Sequence, residues 1–254
     1  VTLPRVPSFR LDGRSALVTG AGRGIGLAMA AALAEAGAQV TLAARTAAEI
    51  EAGAEAIRTA GGLAEAAVLD VADSDAVAAF FAERPAFHVL VNNAGTNRPM
   101  PVWEVTEADY DAVLDLNVKA AFFVAQGAVK AMLRDGVQGS LIHIGSQMGH
   151  VGGPRRSLYC ASKWAIEGLN KALALDLAPH GIRSNTIAPT FIETPMTAPF
   201  FEDPDFRDSV LAKIKLGRIG QVEDVMGAVV FLAGDASALM TGTSLVVDGG
   251  WTAD

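Results

Sequence analysis

The 254-residue chain is 51% hydrophobic and only 19% charged, which supplies enough apolar side chains for a large buried core. Its net charge of −8 argues against a nucleic-acid partner or an anionic membrane held by bulk charge. One cysteine, Cys160, excludes an internal disulfide framework, and the histidines (His88, His143, His150, His180) have no ligand-like spacing, so no metal site is predicted.

Residues 1–12 hold Pro4 and Pro7, show no periodicity and read as an extended arm. The remainder, 13–254, reads as one domain. SALVT at 15–19 predicts a short buried strand, followed at once by GAGRGIG and an alanine-rich helix to about residue 36. A strand at 39–43 leads to a helix over 46–60, capped by Thr46 and stopped by Gly61 and Gly62. Next come a strand at 66–69, a helix at 74–82 and a strand at 88–91 that ends at NNAG. A long helical stretch, 106–134, starts with Thr106 as N-cap. Strands follow at 140–144 and 182–187, with a helix over 157–177 between them. Residues 195–215 read as irregular to helical, 222–232 as a helix and 244–247 as the last strand. No window reaches the ~20 apolar residues of a membrane span, and the first residues lack a signal-peptide core. A cytoplasmic location is therefore expected.

Apolar strands of this length, alternating with helices, imply a parallel sheet covered on both faces. Right-handed crossovers make it a single Rossmann-type, doubly wound α/β domain with a seven-stranded parallel sheet. In Gly20-Ala21-Gly22-Arg23-Gly24-Ile25-Gly26 the glycines allow a tight turn from strand to helix, where backbone N–H groups can approach a pyrophosphate. The spacing is G-x-x-x-G-x-G rather than the common G-x-G-x-x-G. At the end of the second strand, where an acid would take the ribose hydroxyls of NAD, stands Ala43-Ala44-Arg45-Thr46. Arg45, aided by Arg23, suits a 2′-phosphate, so NADP is expected ahead of NAD, which stays open as the alternative.

The stretch SQMGHVGGPRRSLYCASK (146–163) carries the candidate chemistry. On a helix, Tyr159 and Lys163 lie one turn apart on one face. An ammonium beside a phenol favours phenolate and lowers a pKa that starts near ~10. Such a pair can exchange a proton with a carbonyl or alcohol oxygen, and Ser146 can hydrogen-bond that same oxygen.

With Asp70-Val71, NNAG (92–95), Asn117, Pro189, Thr194 and DGG (248–250), these motifs resemble the short-chain dehydrogenase/reductase family over nearly the whole chain after residue 10. The resemblance implies acid–base catalysis coupled to hydride transfer on a secondary alcohol or ketone. By resemblance, Tyr159 moves the proton, Ser146 orients the oxygen, and Lys163 lowers the tyrosine pKa and holds the nicotinamide ribose. Asn117 would sit at a local helix distortion and complete a proton path through a water. The cofactor would lie on Gly20, Arg23, Gly24, Ile25 and Gly26, with Asp70 and Val71 at the adenine. Asn93, Ala94 and Gly95 would line its ribose channel, and Pro189 would head a loop whose Ile192 and Thr194 meet the carboxamide. Pro189-Thr190 departs from the family's usual Pro-Gly. The family is commonly tetrameric through helix pairs and the terminal strand, which implies a homotetramer.

Gln147, His150, Arg155 and Arg156 fall between the serine and the tyrosine, in a segment that overlooks the substrate in this family. Arginines there suit a carboxylate, so a polar or anionic sugar-acid or polyol substrate is expected, with Arg155 as the contact and Asn97 and Arg98 near the same mouth. Residues 190–216, rich in proline and phenylalanine, read as a lid. Rivals are a 3-oxoacyl-thioester reductase and, in a different class, a catalytically silent NADP-binding regulator.

Overall fold

Each strand is an apolar run long enough to cross a sheet once, and in the computed structural model, which describes residues 2–253, these runs lie side by side. Among the described residues the strands are β1 (Ser15–Thr19), β2 (Gln39–Ala44), β3 (Leu63–Val68), β4 (Val89–Asn92), β5 (Ser140–Ile144), β6 (Arg183–Pro189) and β7 (Ser244–Val247). They form one sheet of order β3-β2-β1-β4-β5-β6-β7, parallel throughout. The helices are α1 (Gly24–Glu35), α2 (Ala47–Thr59), α3 (Ser74–Ala82), α4 (Glu107–Leu114), α5 (Ala121–Asp135), α6 (Ser157–Leu177), α7 (Pro204–Leu211) and α8 (Glu223–Ala233).

Alternation along the strands sorts the core into two layers. Ala16, Val18, Val89, Val91, Ile142 and Ile144 pack with Met29 of α1, Ile50 of α2 and Val225 of α8. The intervening Leu17, Leu90 and Leu141 pack on the other face with Phe81 of α3 and Val124 of α5. Burial on both faces is why these strands read as unbroken apolar runs. Strand order reverses between β1 and β4, and the loops leaving the carboxyl ends of the strands diverge there to open a crevice.

Four local expectations are corrected. The edge strand β3 begins at Leu63 rather than 66. Its Glu65 accepts hydrogen bonds from Thr41 Oγ1 (2.9 Å) and Arg84 (3.0 Å), and pairing with β2 overrides the weak strand preference of alanine and glutamate. Thr46 stands at the N-cap of α2 but makes no capping hydrogen bond, whereas Thr106 forms a reciprocal capping box with Asp109. The helical stretch expected over 106–134 is divided rather than single, by a π-helical turn, Asp115–Ala120, which joins α4 to α5 and is the local helix distortion implied at Asn117. That composite helix, Glu107–Asp135, is by length and composition apolar enough to cross a membrane, contrary to expectation, and nearly half of its apolar window is buried within the fold. The arm is irregular as expected, but its end is anchored. Leu11 is fully buried and its N–H donates to the Ala36 carbonyl at 2.8 Å.

Candidate active site

A cleft of about 480 Å³ follows the carboxyl ends of β1 to β6. At one end the glycine loop opens α1 onto it. Gly20 has φ +63°, in the left-handed region, and a side chain at Gly26 would collide with the Gly20 carbonyl oxygen and lie 2.6 Å from Asn93 Nδ2. Glycine at both places lets the turn close against the next loop. Asn93 fastens that loop from the other side, donating from Nδ2 to the Thr19 carbonyl (2.9 Å) and from its N–H to Thr19 Oγ1 (3.0 Å). Arg23, Gly24, Ile25 and Arg45 line the same end, with Asp70 and Val71 beyond β3. Ala94, Gly95, Pro189, Ile192 and Thr194 line the passage towards the other end, so every expected cofactor residue borders one cleft. A glycine-lined floor at a helix N-terminus fits the pyrophosphate of a nicotinamide dinucleotide, and the two arginines fit a further phosphate. Arg23 is engaged by Glu49 of α2 at 3.4 Å, an exposed pair that a phosphate can displace.

At the other end β5 delivers Ser146 and α6 delivers Tyr159 and, one turn on, Lys163. Lys163 Nζ lies 5.5 Å from the centre of the Tyr159 ring and donates to the Ile144 carbonyl at 2.7 Å. Ser146 Oγ donates to Gln147 Oε1 at 2.7 Å and accepts from the Met148 N–H at 3.1 Å. The expected lowering of the tyrosine pKa by Lys163 is not what the structure gives. Burial raises the Tyr159 pKa above its usual value, opposed by hydrogen bonding with Ser146 and by the charge of Arg156. Burial likewise pulls Lys163 down to about 8, with Glu167 acting against it. Low polarity penalises the charged form of each group, so the phenol is a neutral acid here.

Asn117 lies behind the cleft wall rather than on it. Its Oδ1 accepts from the Thr96 N–H (2.8 Å), and its Nδ2 donates to the Thr96 carbonyl (2.9 Å) and to Ser162 Oγ (3.0 Å). Ser162 in turn donates to the Tyr159 carbonyl at 2.8 Å. Its side chain thus ties the loop after NNAG to the first turn of α6.

The substrate residues also need correction. Gln147 lines the cleft, but His150 turns away, with Nε2 3.0 Å from Ser244 Oγ and 3.6 Å from Glu167. Arg155 is exposed, with φ +60°, and does not border the cleft. Its neighbour Arg156 is the one that is buried and borders the cleft. Arg98 pairs with Asp109 at 2.7 Å, outside the cleft. Sequence reasoning passed over Glu167, which accepts from Thr186 Oγ1 (2.9 Å) and Ser244 Oγ (3.3 Å) and holds α6 to β6 and β7. Its place one turn after Lys163 was the available signal. Thr190 was noted only as a departure from Pro-Gly. Both Thr190 Oγ1 and Asn97 Oδ1 are buried beside the cleft without a hydrogen-bond partner.

A family model described as Enoyl-(Acyl carrier protein) reductase matches residues 20–252. The chain is 39% identical over 245 residues to the D-erythrulose reductase of Gallus gallus, covering 96% of this chain and 98% of the other. It is 39% identical over 248 residues to the gluconate 5-dehydrogenase of Gluconobacter oxydans (strain 621H), covering 96% of each. Among solved structures it is similar to a gluconate 5-dehydrogenase from Burkholderia cenocepacia J2315 in complex with NADP and tartrate. The identity there is 38% and the TM-score 0.93, over 98% of this chain and 99% of that one.

Proposed function

The chain belongs to the short-chain dehydrogenase/reductase family, and from that premise we propose that it interconverts a secondary alcohol and a ketone on a sugar acid or polyol. It is an NAD(P)-dependent oxidoreductase. The observation that carries the reading is the convergence of Ser146, Tyr159 and Lys163 at one end of a cleft whose other end is a glycine cradle. A nicotinamide held in that cleft would supply the hydride. The protein's own part is proton transfer and alignment. Tyr159, kept neutral by burial, gives its proton to the carbonyl oxygen during reduction and regains it in oxidation. Ser146, turning its hydroxyl away from Gln147, donates to the same oxygen. Lys163 stays anchored to the Ile144 carbonyl and carries its charge below about pH 8.

The hydroxyl-rich substrate class is supported by the similarity to a D-erythrulose reductase and a gluconate 5-dehydrogenase, and by the polar side chains of Gln147, Asn97 and Thr190 in the cleft lining. A 3-oxoacyl thioester would offer them little. A silent regulator would need none of the three catalytic side chains that are present. The test is nicotinamide absorbance across sugar acids, polyols and acyl thioesters. Turnover confined to the thioesters, or absent with all three classes, would overturn the reading.

The preference for NADP is supported by Arg45 at the end of β2 and Arg23 at the glycine loop, with no carboxylate at residues 43–46. Replacing both arginines with alanine is expected to raise the KM for NADP by ~10-fold or more and to leave that for NAD nearly unchanged, because each charge-assisted contact to a phosphate is worth roughly 1.5–3 kcal/mol before solvent screening. Equal changes for the two cofactors would contradict the assignment. A homotetramer is supported by the exposed Tyr110, Phe122 and Trp164 on α4, α5 and α6, and sedimentation velocity checks it. The cytoplasmic location is supported by the single free Cys160, and cell fractionation checks it. The segment 190–216, which borders the cleft through Phe191, Met196 and Phe200, suits a lid whose opening sets the pace of release.

A further inference from the structure

We propose that Arg156 is the receptor for a substrate carboxylate, so that the cleft selects sugar acids over neutral polyols of the same hydroxyl pattern. The inference rests on the sugar oxidoreductase reading and names the residue that chooses within it.

Arg156 is 6% exposed, and its guanidinium lies 5.3, 5.6 and 5.9 Å from the ring centres of Phe191, Phe200 and Phe206. The rings give the cation a face to stack on and remove it from water. Arg134 and Arg218, nearer the surface, are answered by acids, Asp135 (2.6 Å) and Asp224 (2.6 Å). Arg156 is the buried case and most needs an anion, yet the charged or titratable neighbours acting on it are Tyr159 and Cys160, with no aspartate or glutamate. A desolvated guanidinium in this state is completed by an anion that arrives with a ligand, and its planar fork matches a carboxylate.

Location points the same way. Arg156 is the N-cap residue of α6, three positions before Tyr159, and borders the cleft together with Ser146 and Tyr159. The acids that line the cleft, Glu49 and Asp70, belong to α2 and to the exit of β3, at the cofactor end. The substrate end therefore offers a carboxylate a buried cation and no carboxylate of its own among the described residues. The rings around Arg156 come from the proposed lid, so a bound acid and the lid's seating share one contact.

The test uses matched pairs that differ only in a terminal carboxylate or hydroxymethyl group: gluconate with glucitol, galactonate with galactitol, xylonate with xylitol. Wild-type kcat/KM is expected to favour the acid of the preferred pair. Arg156→Met, which keeps an apolar side chain against the phenylalanines, is expected to lower the acid-to-polyol ratio by ~100-fold, the scale on which one partner of a desolvated charge pair is missed. The loss should fall mainly on KM, and Arg156→Lys should recover part of it. Equal losses on acid and polyol, with cofactor affinity retained, would make Arg156 a lid clamp and overturn the assignment alone. A wild-type preference for the polyol would also overturn it. Absence of turnover with every pair would overturn the sugar oxidoreductase reading, and this inference with it.

Discussion

Replacing Tyr159 with phenylalanine is expected to lower kcat by ~10²–10⁴-fold, the range a positioned general acid contributes. The ring would still pack in the first turn of α6, where Ser162 holds the residue-159 carbonyl at 2.8 Å and Asn117 holds Ser162 at 3.0 Å. The backbone of the site should therefore persist and the loss should fall on proton transfer. Nicotinamide fluorescence titration would show the cofactor still bound while steady-state turnover collapses. The charge on the phenol also has a consequence for pH. Because burial raises the Tyr159 pKa, the neutral phenol survives above the usual range, so reduction should hold up in mildly alkaline buffer. Oxidation needs the phenolate and should keep rising over that same interval. Retention of more than a tenth of wild-type kcat by Tyr159→Phe would remove the tyrosine from its role.

A second large effect concerns His143, the next-to-last residue of β5. Strand alternation puts it on the face of Leu141, towards α5 and α6, and it is 1% exposed with neither ring nitrogen hydrogen-bonded to the protein. Burial, with Lys163 nearby, lowers its pKa from 6.5 to about 4. The unfolded chain therefore takes up this proton first as pH falls, and stability drains away between pH 6.5 and 4. The full penalty is roughly 3 kcal/mol. His143→Asn, which cannot titrate, should lose markedly less stability than wild type between pH 7 and 4.5, whatever its stability at neutral pH. His88, also lowered by burial, contributes in the same direction, and Glu167, raised by burial, in the opposite one. Both are common to the two proteins, so the difference in slope isolates His143. Parallel curves from urea titrations at several pH values would contradict the argument.

Much of the fold was legible because central parallel strands cannot hide. SALVT, HVLV and SLIHI are largely apolar and sit between turn signals, so their positions follow from pattern alone. The edge strand β3 was harder. LAEAAV leaves Leu63 and Val68 exposed, and nothing in its composition outweighs helix preference until β2 pairs with it. In the site, residues on strand ends and on α6 were readable because spacing along a regular element fixes direction. The segment between Ser146 and Tyr159 has no such period. Of two adjacent arginines Arg156 borders the cleft and Arg155, at a left-handed φ, does not, and no local sequence signal marks the choice. The sign of the tyrosine shift was misjudged for a related reason, since proximity of an amine is visible in spacing but the desolvation of both groups is not. His143 did carry a signal. A histidine within a fully buried strand must be either partnered or neutral, and SLIHI contained that information.

The reversal of strand order between β1 and β4 also divides labour within the molecule. The residues that would hold the adenosine half of a dinucleotide leave β1, β2, β3 and β4, while Ser146 and Gln147 follow β5 and Tyr159 stands on α6. The two groups would meet where a hydride and a proton are exchanged. Electron carrier and reactant are thus separately heritable traits: mutations that retune one have little reason to disturb the other, and a lineage can change its fuel without relearning its currency.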